Sequence, residues 1–399
     1  MALLVAIGVV FLAVRTGGVD RVPGAASPTP APPAAPASPA PAPTVMLYVD
    51  PTGGADTNDG SQGAPLRSIQ TALTLANPGT QINLAPGVYR EQLQTVRDGT
   101  QDAPIVIRGP ESGTDRAGRY QATLYGTGRI VSVDHSWYRF EGFTIDGQEK
   151  LANVPFPTVL AGIDAWKDSV QPQVSDSRLI YVGAGEEVRD VTGVTITNMF
   201  LSGGGGECVR IRNNAHDNAV TDSVIQYCGM FGKEGDDDRA AYHNGEGVYI
   251  GTSPNSGDQP LAEGDGSANN TVARNVIRTF GSECFNVKEN AHDNVFSDNT
   301  CSDNAETVEF SGSNIELRGY NNTIRNNSIS NSAGFGLKIA SEDRFDKGGN
   351  VFENNRLAGA VIALELDTDL PQGRMCGNTV QAQSLVAEDE PLTDLTTPC

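Results

Sequence analysis

The sequence predicts an all-β fold, a parallel β-helix in which one chain climbs in stacked coils behind a short N-terminal capping helix. The first observation behind this is a short pattern that keeps returning over 207–365. It reads Glu207-Cys208-Val209-Arg210-Ile211, Glu246-Gly247-Val248-Tyr249-Ile250, Glu283-Cys284-Phe285-Asn286-Val287, Glu306-Thr307-Val308-Glu309-Phe310 and Gly336-Leu337-Lys338-Ile339. Each copy sets apolar residues two apart, which is the period of a strand and not of a helix. The second observation is the interval, ~24 to 28 residues where nothing is inserted, as in arrays whose repeats stack on one another. The third is composition: 45 glycines and few aromatic residues in 399 positions suit short strands joined by tight turns.

In chain order, residues 1–21 begin with an apolar run, Met1 to Val14, followed by Arg15 and Arg21. The run falls short of the ~20 residues of a bilayer span and matches a signal-peptide core, so a signal peptide or signal-anchor is expected. Residues 22–44 carry nine prolines among Ala, Ser and Thr. Such a linker buries too little apolar surface to fold and favours extended polyproline geometry, which holds a domain clear of a membrane or wall. Residues 45–399 are expected to form one domain, because coil stacks exceed the size at which a globular core divides. There Met46 to Asp50 reads as a strand, and Ser68 to Ala76 as a helix with Ile69, Ala72, Leu73 and Ala76 on one face. A helix ahead of a solenoid covers the open end of the apolar column and blocks edge pairing. Residues 148–175 break the pattern and read as a loop excursion walling one side of the sheet.

Stacked parallel strands lie ~4.8 Å apart, so matching residues form columns. Val209, Val248, Phe285, Val308 and Leu337 are expected to point inward, as are Ile211, Ile250, Val287, Phe310 and Ile339. Arg210, Tyr249, Asn286, Glu309 and Lys338 then form an outward column that, with Arg212, offers a rigid strip for substrate. Glu207, Glu246, Glu283 and Glu306 form a second column at its mouth. Asn pairs such as Asn321-Asn322 and Asn326-Asn327 read as turn ladders whose amides bond from layer to layer. The recurrent His216 and His292 read as turn-stabilising residues.

Tyr48-Val49-Asp50 with Asp59-Gly60-Ser61, the Ser68-Ile69-Gln70 helix start and Leu84 to Tyr89 resemble the N-terminal capping segment of a known group. That group is the exported right-handed parallel β-helix proteins of the pectin-lyase-like superfamily. Ile105 to Gly109 and Tyr138 to Ile145 resemble its early coils, and Gly245 to Gly251 with Glu283 to Glu289 its later signatures. The resemblance covers 48–358 and implies right-handed coiling and an extracellular setting, while being less specific for activity.

Six cysteines in an exported chain invite pairing. Cys208 and Cys228 open and close one coil, Cys284 and Cys301 repeat the arrangement, and a coil's ends come within disulfide reach. The expected pairs are Cys208-Cys228, Cys284-Cys301 and, by remainder, Cys376-Cys399, with free buried thiols as the alternative.

A formal net charge of −21 counts against nucleic acid as a partner. It suits an extracellular monomer that meets a polysaccharide and touches a membrane only through its N-terminal segment. An acidic protein binds an acidic polysaccharide when a divalent cation or a basic cluster bridges the repulsion. For the cation, Asp236, Asp237, Asp238, Asn244 and Glu246 gather oxygen ligands of the kind Ca2+ prefers. Stacked carboxylates repel unless protonated or bridged by metal, which adds Glu283 to that expected calcium site. A solvated acidic loop is the alternative.

The basic cluster is Lys288, outward by alternation, with Arg210, Arg212 and Lys338 on the same face and Arg318 on the following coil. A uronate lyase abstracts the proton at C5 and expels the glycosidic oxygen by β-elimination. That reaction needs a base, and positive charge to stabilise an enolate-like transition state. In the similar chondroitin and alginate lyases a Lys follows acidic Ca2+ ligands and an Arg lies on the next coil. Lys288 and Arg318 match that order, which implies catalytic roles for both, although Gly319 stands where those enzymes tend to have His. A solvated Lys288 beside Glu289 or Asn286 is the plainer alternative.

Three readings follow. A Ca2+-assisted polysaccharide lyase comes first, and a non-catalytic cell-surface glycan-binding module second. The third, an inverting glycoside hydrolase, needs carboxylates ~6.5 to 9.5 Å apart and would draw on Asp237 and Asp238.

Overall fold

A computed structural model describes residues 42–110, 119–232, 245–254, 261, 264–340, 345, 347–386 and 395–399. The expected signal segment, most of the linker, and Asp236, Asp237, Asp238 and Asn244 lie outside them. Among the described residues, no helix is long and apolar enough to cross a membrane.

From Val45 onward the chain winds as a right-handed parallel β-helix. Three sheets of eleven, ten and ten strands run its length, because each coil gives one short strand to each sheet in turn. Thr195–Thr197, Phe200–Ser202 and Val209–Ile211 make one such circuit. Each strand pairs in parallel with its equivalents one coil below and one above. Period-2 alternation then sends every second side chain inward, where Ile196, Val220, Val272, Phe296 and Ile324 stack in the first sheet with at most 1% exposure. Each such side chain contributes ~1.5–3 kcal/mol by leaving water.

The corners explain the asparagines. Between the first and second sheets one residue takes a left-handed φ, as at Asp298 (57°), Asn326 (57°) and Asn354 (56°). Asn and Asp tolerate that conformation better than most side chains. The next residue turns its amide inward, so Asn275, Asn299, Asn327, Asn355 and Asn378 form a ladder. Their Nδ2 groups donate to the next Oδ1 at 3.0–3.1 Å. A second ladder, Asn218, Asn270, Asn294, Asn322 and Asn350, stands where the chain enters the first sheet. His216 and His292 occupy equivalent places in that turn, each 2.7 Å from the following aspartate.

Both ends are closed. Helix α1 (Ile69–Leu75) starts on Ser68, whose hydroxyl accepts from the Thr71 amide, and buries Ile69, Ala72 and Leu73 over the first coil. The Glu91 carboxylate accepts from the Ile69 and Gln70 amides at 2.9 Å. At the far end Cys376 is bonded to Cys399, and Leu395 is buried in the last coil. The pairs Cys208–Cys228 and Cys284–Cys301 also form, with Cα atoms 5.5 and 5.8 Å apart, as the coil geometry predicts.

Two expectations are corrected. Residues 148–175 are not a plain loop: helix α2 (Ile163–Val170) lies there between two short 3-10 turns. Its Ile163 and Val170 join Leu151, Tyr227, Met230, Phe280 and Ala305 in a separate apolar cluster. Tyr227, Phe280 and Ala305 each follow a second-sheet strand, so the excursion is anchored on the corner leading into the third sheet. The second correction concerns register. Val308–Phe310 is a 3-10 turn, and the third-sheet rung is Ser313–Leu317, with Ile315, Glu316 and Leu317 beside Phe285, Asn286 and Val287. Ser311 takes a left-handed φ of 61°, which breaks the first triplet off from the sheet. Glu309 and Phe310 are therefore exposed and outside the columns.

Candidate functional site

The outer face of the third sheet holds Tyr181, Arg210, Tyr249, Asn286, Glu316, Lys338 and Glu365 in one register. Four of the five expected column members thus stand together, and Glu316 takes the place expected for Glu309. Lys288 and Arg318 each directly follow their strands, and their backbone amides bond to Ile250 and Val287 on the coil below. They are consecutive members of a parallel column, one rung (~4.8 Å) apart. Arg212 heads that column, its Nε donating to the Gly183 carbonyl at 3.2 Å.

Glu316 ties the strip together. Its Oε2 accepts from Asn286 Nδ2 at 2.8 Å and lies 3.5 Å from Lys288 Nζ, while Oε1 lies 4.0 Å from Arg318 Nη1. Arg318 Nε also pairs with Glu289 Oε1 at 2.6 Å, and Lys338 Nζ with Glu365 Oε2 at 3.3 Å. Tyr249 is held between two cations: the Arg210 guanidinium 4.4 Å from its ring centroid and the Lys288 ammonium at 5.0 Å. Such contacts are worth up to ~2 kcal/mol when desolvated. Arg210 Nη1 and the Tyr181 hydroxyl both reach the Glu207 carboxylate at 2.9 Å.

These neighbours fix protonation states. Burial disfavours the charged form of Lys288, but Tyr249, Glu316 and Glu246 outweigh it and raise its pKa. Lys288 is a firm cation and not the lowered-pKa amine that a lysine base requires. Burial would raise Glu316, yet Lys288, Arg318 and Lys338 bring it below the usual carboxylate value. Burial and the two cations leave Tyr249 with a pKa of about 12.

The expected column of Glu207, Glu246, Glu283 and Glu306 lines the corner before the same strands, and all four are buried. Burial and then Glu283 raise Glu246, while burial and then Glu316 raise Glu283. Burial and Glu283 push Glu306 up to about 8. Ser282 Oγ lies 2.5 Å from Glu283 Oε2 and 3.1 Å from Glu306 Oε2. Glu246 Oε2 is buried without a hydrogen-bond partner, which suits either a proton or a cation. Among the described residues, the one group of three His, Cys, Asp or Glu ligand atoms close enough for a metal is Glu353, Cys376 and Cys399. Its two sulfurs are committed to a disulfide.

A family model described as "Protein of unknown function (DUF1565)" matches residues 52–386. The chain belongs to the DUF1565 family. Solved structures similar to this DUF1565 protein include an alginate lyase from Paenibacillus sp. str. FPU-7, 17% identical with a TM-score of 0.56, covering 86% of this chain and 99% of that one. Pectate lyase Pel9A is 15% identical with a TM-score of 0.56, covering 89% and 80%. A lacto-N-biosidase of Eubacterium ramulus is 14% identical with a TM-score of 0.51, covering 86% and 67%. The DUF1565 protein thus has the pectin-lyase-like fold, one that carries both a lyase and a glycosidase among these neighbours. The uncharacterized protein YwoF of Bacillus subtilis (strain 168) is 36% identical over 66 residues, 16% of this chain and 14% of that protein's length.

Sequence reasoning missed Glu316, Tyr181 and Glu365. A signal for the first existed: Ile315-Glu316-Leu317-Arg318 repeats the apolar, polar, apolar, cation order of Phe285-Asn286-Val287-Lys288.

Proposed function

We propose that this DUF1565 protein binds an acidic polysaccharide across the outer face of its third sheet and cleaves it by β-elimination at Lys288 and Arg318. One observation carries the reading: the Arg318 guanidinium reaches solvent while its Glu289 partner is fully withheld from it. The Arg318 and Lys288 side chains are 27% and 15% exposed, against 0% for Glu289 and 10% for Glu316. A uronate carboxylate arriving from outside meets the guanidinium and the ammonium first. Positive charge from both would stabilise the negative charge that an enolate-like transition state develops. The C5 proton passes to the ionised Glu316 carboxylate that lies between these two cations, the C4–C5 double bond forms as the C4–O bond breaks, and Tyr249, protonated at neutral pH, supplies the proton to the departing glycosidic oxygen. Ca2+ belongs to the proposal through Glu246 and Glu283, with Asp236 to Asp238 and Asn244 as its further ligands. The three disulfides favour an oxidising, extracellular location, tethered or released by residues 1–44.

The test is incubation of the full chain with pectate, alginate and chondroitin, with Ca2+ or a chelator, reading the ultraviolet absorbance of unsaturated product. Calcium-dependent absorbance that disappears in Lys288→Ala, at a temperature where that variant stays folded, supports the lyase. New reducing ends without absorbance replace it with a hydrolase. Retention on a glycan column without turnover replaces it with a binding module.

A further inference from the structure

A cavity of about 400 Å³ lies away from this strip, at the same corner but on the first three coils. Its volume is within the ~300–1,000 Å³ of small-molecule sites. Arg90 and Tyr125 end successive second-sheet strands and are direct register partners. Gln92, Thr127 and Ser175 stand just before third-sheet strands, where later coils carry Glu207, Glu246 and Glu283. The root of the excursion, with Glu149 and Lys150, forms the remaining side and is fastened by a 2.6 Å pair between Arg90 and Glu149.

What sets the cavity apart is a set of polar lining groups without a partner among the described residues, of which Thr127 and Lys150 are exposed and Tyr125 and Ser175 half-buried. Glu91 is committed to two backbone amides, and Gln92 donates to the Thr127 carbonyl. The Tyr125 phenol, the Thr127 and Ser175 hydroxyls and the Lys150 ammonium make no hydrogen bond or ion pair among the described residues. With Glu149 facing Arg90, the Lys150 charge is left uncompensated. One cation, three hydroxyls and a half-buried aromatic ring match a ligand with one anionic group, several hydroxyls and an apolar ring face.

We infer that this cavity binds a single uronate-type sugar, its carboxylate on Lys150 and its ring against Tyr125. Four rungs, ~19 Å along the axis, separate it from Lys288, which lies at the opposite end of its third-sheet strand. It would therefore hold a remote unit of the polymer, and to that extent it rests on the polysaccharide reading.

The test is calorimetric and ligand-observed NMR titration of the full chain with glucuronate, galacturonate, their neutral parent sugars and inorganic sulfate. The expected result is weak, uronate-selective binding that Lys150→Ala lowers by ~10-fold, the factor that ~1.4 kcal/mol supplies. Tyr125→Phe, which keeps the ring, should lower it less, and folded Lys288→Ala should retain it. Unchanged affinity in Lys150→Ala, equal binding of neutral sugars, preference for sulfate or no uronate binding each overturns the inference. A parallel titration with a hexa-uronate separates the two proposals. If Lys288→Ala abolishes cleavage while Lys150→Ala binds uronate normally, the cavity proposal falls and the lyase stands. If no polymer is cleaved but uronate binding requires Lys150, the lyase falls and the cavity stands.

Discussion

Two corners of one solenoid stack like side chains at the same ~4.8 Å spacing and reach opposite electrostatic ends. Between the first and second sheets, Asn275, Asn299, Asn327 and Asn355 satisfy one another, because an amide offers a donor to the rung on one side and an acceptor to the other. Between the second and third sheets, Glu207, Glu246, Glu283 and Glu306 hold groups that only accept when ionised, so mutual bonding gives way to raised pKa values at Glu246, Glu283 and Glu306 and to the Arg210 guanidinium at Glu207. Stacked rungs thus bond to one another where the side chain is an amide and are coupled electrostatically where it is a carboxyl.

The sharpest way to break this contrast is to remove the cation. Lys288→Met should cost ~3–5 kcal/mol in chemical denaturation, because it strips compensation from Glu316 and its neighbours. Next comes Asn299→Asp, which puts a carboxylate into the amide ladder and ends donation to Val272 O and Asn327 Oδ1. A loss of ~2–3 kcal/mol at pH 7, smaller at pH 4, is expected by thermal melting. The reverse exchange, Glu306→Gln, should act through pH. A folded pKa of about 8, against 4.5 in the unfolded chain, means stability fully present below pH ~4.5 is lost as pH rises through about 8. The slope is at most ~1.4 kcal/mol per pH unit, and a pH series of melts on Glu306→Gln should show it flattened. Smallest is Ser282→Ala, ~0.5–1.5 kcal/mol, since its hydroxyl serves both Glu283 and Glu306.

The fold was legible because a solenoid writes its period into the chain. Inward alternation at Val209, Val248, Phe285 and Leu337, the cap at Ser68 and the cysteine pairs all follow from local spacing. The asparagine pairs were legible too, the first of each taking the left-handed turn and the second the ladder. Less of the site could be read. Val308-Glu309-Phe310 and Ile315-Glu316-Leu317 have the same pattern, and only Ser311 and its left-handed backbone decide which pairs with Asn286. Pattern also cannot convey depth. Lys288 reads in sequence either as a catalytic lysine or as a solvated one, whereas in the structure it is a largely enclosed cation, because burial and its neighbours are properties of three coils together.

Because every coil bonds only to the rungs beside it, the protein is modular along its axis. Duplicating one circuit would lengthen the third sheet by a rung and leave both end caps as they are. Under the proposed polysaccharide reading, such a measuring stick would set the number of sugar units it spans by counting turns of its own backbone, and could change its reach without redesigning its chemistry.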